Sequence, residues 1–203
     1  GSGGGLFDAC LFVEELAYNR IPLGSFGVTL IVSHMYLNFA TEDLKHEVLG
    51  SVVTGTPTAV AMSEPDSGSD VASLRCKAEK VDGGYRINGQ KIFISNGQLC
   101  DLLVLAAKTD TTRGAKGVSL FLVDTTTPGF SRGRRLEKIG QHAGDTSELF
   151  FEDMRVPADA LLGGVEGQGF VQMMRELPRE RLIIGVQGVH AARGALNVTL
   201  DYV

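Results

Sequence analysis

The chain has 203 residues, 43% of them apolar, and a formal net charge of −5. That composition supports a folded core in one large domain or two small ones, and the lack of a Lys/Arg-rich run or many aromatics argues against nucleic acid as a partner. No apolar stretch reaches the span of a bilayer, and the opening GSGGGLFDACLFVEELAYNR has acids among its apolar residues and no basic leader, unlike a secretory signal.

In chain order, the glycine run at the start reads as an exposed loop or a cloning remnant. Leu6 to Asn19 then repeats apolar residues at steps of three and four (Leu6, Phe7, Cys10, Leu11, Val13, Leu16, Ala17), which predicts an amphipathic helix. Ser25 to Asn38 is more apolar and predicts a buried helix. Thr41 suits the cap of a third helix, with Glu42 and Asp43 in its first turn. From Thr56 to Pro157 the texture changes to short β-rich runs at roughly ten-residue spacing. These are TAVAM, SLRCKAEKV, GYRING, QKIFIS, LLVLAAKT, GVSLFLVD, GRRLEKIG and SELFFEDMRVP. Asp82-Gly83-Gly84 between alternating segments is a hairpin signal. Strands without intervening helices predict an antiparallel barrel or sandwich.

A third texture begins near Glu166. Pro178 fits the first position of a long helix whose apolar side carries Leu182, Ile183, Val186, Val189, Leu196 and Leu200. The helical pattern runs to Val203 without a stop signal, so either a second chain covers that side or the chain is a fragment. The expected organisation is residues 1–55 helical, 56–157 β and 158–203 helical, an α+β fold. Cys10, Cys76 and Cys100 show no metal or CxxC spacing and read as core or near-core thiols in a reducing compartment. His34, His46, His142 and His190 form no ligand pattern, so no metal site is expected.

Three stretches could carry chemistry. VAMSEPDSGSD, from Val60, is good turn chemistry, yet Ser63, Ser67, Ser69 and successive backbone N–H groups could also hold an anionic or carbonyl-rich ligand. NGQKIFISNG is either a hairpin arm with Phe93 in the core and Ser95 at its end, or a strand end whose hydroxyl donates to a bound ring. In ELPRERL, Glu180 is either a helix-start carboxylate or a general base held rigidly, with Arg181 beside it.

Taken in order, GSGGGLFDACLFVEELA, TEDLKHEVLGSVVTG, AMSEPDSGSD, INGQKIFISNG, GDTSELFFEDMRVPADALLG and EGQGFVQMMRELPRERL resemble the acyl-CoA dehydrogenase family, most closely its long-chain type. The resemblance covers the end of the helical N-terminal domain, the middle β-domain and the first helix of the C-terminal domain. It implies FAD as cofactor, with Val60, Ala61, Met62, Ser63, Ser69, Phe93, Ile94 and Ser95 at the flavin and the Ser95 hydroxyl on its N5. It implies an acyl-CoA substrate near Ser69 and Arg181, Glu180 as the base that removes the α-proton, and hydride transfer to the flavin. Phe93 stands where many members have Trp. The family's later C-terminal helices, with the glycine-rich and arginine motifs that hold the far part of FAD, are missing, so the residues present make part of a flavin site. The resemblance further implies electron-transfer flavoprotein as acceptor and a homo-oligomer, dimer or tetramer. It implies a bacterial cytoplasmic or mitochondrial matrix location and a role in fatty acid β-oxidation. A non-catalytic binding or structural subunit and an acyl-CoA oxidase are the alternatives.

Overall fold

The computed structural model describes residues 3–203, and of Ser25 only the backbone; Gly1 and Ser2, part of the opening glycine run, lie outside the described residues. Chain packing separates two compact units, one made of residues up to Gly24 with Met174–Val203, the other of Ser25–Met173. No helix among the described residues is long and apolar enough to cross a membrane.

The first unit is built from α1 (Leu6–Tyr18) and the larger part of α4 (Gly169–Tyr202). Asp8 reaches back to accept from the Gly5 N–H at 2.6 Å, closing the open start of α1. The two helices meet at Gly194, where a Cβ would fall 2.3 Å from the Tyr18 carbonyl oxygen, so only glycine permits this approach. Around that point Asn197 Nδ2 donates to the Tyr18 hydroxyl at 2.9 Å. The Arg193 guanidinium lies 5.7 Å from the Tyr18 ring centroid, and His190 Nδ1 is 3.3 Å from Glu14 Oε1. Ile183 is buried, whereas Leu182, Val189, Leu196 and Leu200 of the expected apolar side are exposed.

The second unit opens with α2 (Gly24–Phe39) and α3 (Glu42–Val53). Thr41 Oγ1 accepts from the Leu44 N–H at 3.4 Å, the cap its position predicts. Seven strands follow: β1 (Thr58–Ala61), β2 (Lys77–Val81), β3 (Gly84–Ser95), β4 (Leu102–Lys108), β5 (Val118–Asp124), β6 (Phe130–Arg135) and β7 (Thr146–Pro157). They form one sheet in the order β1-β4-β2-β3-β7-β6, with β5 paired to β4. Most pairings are antiparallel, as expected, but β1 and β2 both run parallel to β4, so the sheet is mixed. The β2–β3 hairpin closes at Val81 and Gly84 over Asp82-Gly83, with Gly83 at φ 78°.

β4 explains why LLVLAAK is apolar without alternation. Leu103, Leu105 and Ala107 join Ile87, Phe121 and Phe151 in a core on one face of the sheet, while Val104 and Ala106 join Val32, Met35, Tyr36, Val48 and Leu120 on the other. A strand covered on both faces has no polar side to show.

GYRING and QKIFIS are not two strands divided by a turn at Asn88-Gly89. They are the single strand β3, with a register shift against β7 between Ile87 and Gly89. Gly89 sits at φ 157°, and a Cβ there would fall 2.7 Å from Cys76; the glycine allows a close passage of chains, not a reversal. The stretch expected as GRRLEKIG pairs earlier, as Phe130–Arg135, and its tail leaves the sheet.

Pro178 does not begin the last helix. α4 starts at Gly169 and carries Pro178 in its interior. The extra turns are held by packing: Met173 is in the core, Phe170 lies against it, and Gln172 Nε2 donates to the Leu162 carbonyl at 3.0 Å. That packing outweighs the roughly 3 kcal/mol an interior proline costs a helix. Pro178 offers no N–H to the Met174 carbonyl, the residue at which the two compact units divide.

Cys76 and Cys100 are both buried, and burial pushes their thiols up to about 12 and about 11, so neither is a thiolate near neutrality. Cys10 is partly accessible. Alkylation of the native chain with iodoacetamide at pH 8, read by peptide mass spectrometry, is expected to label Cys10 and to reach the other two only after unfolding. Equal labelling of all three in the native chain would contradict this burial.

Candidate active site

The loop after β1 is a compact turn. Glu64 and Ser67 exchange backbone hydrogen bonds at 2.8 and 3.1 Å across Pro65-Asp66, and Ser67 Oγ donates to the Asp70 carbonyl at 2.7 Å. Ser67 is therefore a turn-closing residue, and of the loop hydroxyls Ser63 and Ser69 are left for other partners. Ser63 is half-buried and Ser69 exposed.

The structure brings this loop against the end of β3. Ile92 N–H donates to the Ser63 carbonyl at 3.0 Å, Lys91 Nζ donates to the Met62 carbonyl at 2.9 Å, and Asn96 Nδ2 donates to the Thr58 carbonyl at 2.9 Å. Two segments some thirty residues apart in sequence, Val60–Ser63 and Phe93–Ser95, thus lie side by side. The hydroxyls of Ser63, Ser69 and Ser95 have no hydrogen-bond partner among the described residues. A cleft between α3 and the ends of β4, β5 and β7, lined by Leu44, Val48, Leu102 and Val156, takes in none of these positions.

Phe93 is not in the core. It is 65% exposed and sits at φ 62°, within a second register shift of β3 between Lys91 and Ile94. Left-handed backbone is a strained state for a bulky residue, and here it turns an aromatic ring out of the sheet while Ile94 stays buried. Asn96 is also left-handed, at φ 63°, and turns the chain after Ser95.

Under the loop lies a charged pair that the sequence reading passed over. Lys91 and Glu64 side chains are 0% and 5% exposed, and Nζ meets Oε1 at 2.7 Å. The Glu64 carboxylate also accepts from the Arg75 N–H at 2.5 Å and the Cys76 N–H at 3.0 Å. Lys91 has two oxygen partners and both carboxylate oxygens of Glu64 accept, the kind of pairing under which buried charge is tolerated. The only available signal was one opposite charge at the start of each motif, which a surface pair would show equally.

Glu180 and Arg181 lie on α4, in the first unit. Glu180 is half-buried and Arg181 exposed. Burial, and then the carboxylate of Glu176 one turn earlier, hold the Glu180 carboxyl above the ordinary carboxylate range. A helix start would pull the other way, but α4 begins three turns upstream, and the dipole effect fades within the first turn. Desolvation therefore wins, and Glu180 has the character of a base stronger than a surface glutamate.

Residues 59–154 match the family model described as acyl-CoA dehydrogenase, middle domain. The mitochondrial long-chain specific acyl-CoA dehydrogenase of Sus scrofa is 41% identical over 207 residues, which takes in 100% of this chain and 48% of the pig protein. An acyl-CoA dehydrogenase structure from Geobacillus kaustophilus has a TM-score of 0.93 at 41% identity, covering 100% of this chain and 54% of that one. A structure of PigA with FAD and proline has a TM-score of 0.93 at 31% identity, again with 100% of this chain and 54% of that one covered. The chain belongs to the acyl-CoA dehydrogenase family and has its fold, a curled sheet flanked by helices. It spans about half the length of the curated relatives it matches.

Proposed function

We propose that this chain is the central part of an FAD-dependent acyl-CoA dehydrogenase that converts an acyl-CoA thioester to the trans-2-enoyl thioester. The observation that carries this reading is the junction of Val60–Ser63 with Phe93–Ser95, which offers an aromatic ring and unpartnered hydroxyls on one backbone-locked edge. That edge suits one face and one polar rim of a flat heterocycle. Ala61, Met62, Ser63, Phe93, Ile94 and Ser95 would hold it there, with Val60 behind them and Ser69 toward the substrate. When bound, the flavin supplies a two-electron acceptor for the hydride from the β-carbon. Glu180 takes the α-proton onto its carboxylate, and its raised affinity for that proton supports the role. Arg181 orients the substrate end.

In this reading residues 1–55 close a helical N-terminal domain, 56–157 form the middle domain and 158–203 open a C-terminal helical domain. Electron-transfer flavoprotein is the acceptor, the protein is a homo-oligomer, and it works in the bacterial cytoplasm or mitochondrial matrix. The test is the visible spectrum of the purified chain after FAD is added and the excess removed, followed by anaerobic titration with a long-chain acyl-CoA. Whatever flavin the chain retains is expected to bleach. A folded chain that retains no flavin would show that these residues do not suffice as a site, and oxygen uptake with acyl-CoA would point to an oxidase instead.

A further inference from the structure

We infer that Lys91 is a positioning residue of the flavin site: through the Met62 carbonyl, it fixes the direction in which the Ser63 N–H points. The inference rests on the flavin reading above for its ligand, but its geometry stands by itself. A trans peptide is planar, with its C=O and N–H on opposite sides. Lys91 Nζ holds the Met62 carbonyl from beneath at 2.9 Å, so the N–H of the same peptide, that of Ser63, is turned away from the lysine. The next peptide is held as well, because the Ser63 carbonyl accepts from Ile92 N–H at 3.0 Å. Glu64, the following residue, is tied to Lys91 at 2.7 Å and to the Arg75 and Cys76 amides.

Ser63 is thus flanked by two locked peptides, while its own N–H and hydroxyl have no partner among the described residues. A donor held in a fixed direction without an internal acceptor is preorganised for a ligand atom. A lysine with no exposed surface cannot touch that ligand, so its influence passes through the Met62 carbonyl. Lys91 is accordingly not a catalytic residue. Folding stability alone would be served as well by an apolar pair in the same space, since buried ion pairs replaced by hydrophobic residues are often no less stable.

The test uses Glu64→Gln/Lys91→Met, which leaves no buried charge, and compares it with the native chain by ¹⁵N relaxation, amide exchange and FAD titration. The variant is expected to melt close to the native chain. The Ser63 amide order parameter should fall from about 0.85, typical of rigid backbone, to below about 0.6. Ile92 amide exchange should quicken, and FAD should bind about tenfold more weakly, because binding must then order the Ser63 peptide that Lys91 no longer holds. Glu64→Gln alone, measured alongside, keeps Lys91 on the Met62 carbonyl and should keep Ser63 ordered. An ordered Ser63 in the double variant, or a mobile one in Glu64→Gln, overturns the assignment to Lys91. Should the native chain fail to bind FAD, these residues do not suffice as a site by themselves, and the order parameters still decide the role of Lys91.

Discussion

In the flavin-loaded protein, Glu180→Gln is expected to slow anaerobic bleaching by acyl-CoA about 10²- to 10⁴-fold, the range a general base contributes. Flavin retention should be unchanged, because Glu180 lies on α4 and not among the residues proposed to hold the flavin. The pH dependence has a definite sign. Burial and the Glu176 carboxylate raise the proton affinity of Glu180, so the basic form accumulates only as pH climbs past a value above the ordinary carboxylate range. The rate should therefore rise with pH along a limb displaced upward from that range, and Glu176→Gln should move the limb down by removing the like charge. Stopped-flow flavin absorbance across pH measures both. A limb at the ordinary carboxylate position, or a Gln variant that bleaches at the native rate, would remove Glu180 from the role of base.

The second large effect is on stability. Lys91→Met keeps the volume of the side chain but leaves the Glu64 carboxylate buried without its counter-ion, and breaking such a pair costs about 3–5 kcal/mol. Against total stabilities of about 5–15 kcal/mol that is a large share, and urea midpoints should show it plainly. The Arg75 and Cys76 amides still face the carboxylate, which favours the lower part of the range. Because the neutral Glu64→Gln/Lys91→Met pair avoids the stranded charge, it should recover most of the loss. A single variant as stable as the native chain would mean that water reaches Glu64.

Much of the architecture is legible in the sequence because local rules and burial agree. The Thr41 cap, the Asp82-Gly83 turn and the period of α1 each depend on residues within a few positions, and each is where those residues place it. What failed depended on long-range packing. Gly89 looks like half of an Asn-Gly turn until Cys76, on the segment leading into the neighbouring strand, is seen to press against it. Pro178 looks like a helix start because no local signal weighs the burial of Met173 against a missing N–H. At the site, the two serine-bearing motifs were visible as candidates, but the hydrogen bonds that join them run through backbone carbonyls and leave no mark on the sequence. Glu64 and Lys91 were hidden for a related reason, since an ion pair reads the same whether it is solvated or sealed in a core.

The left-handed Phe93 has a consequence for anyone redesigning this chain. Glycine would adopt φ 62° without strain, and an exposed ring contributes little to the core, so a procedure that rewards folding alone would erase the aromatic at this position. Gains in heat resistance made on this edge would be bought from the proposed flavin contact.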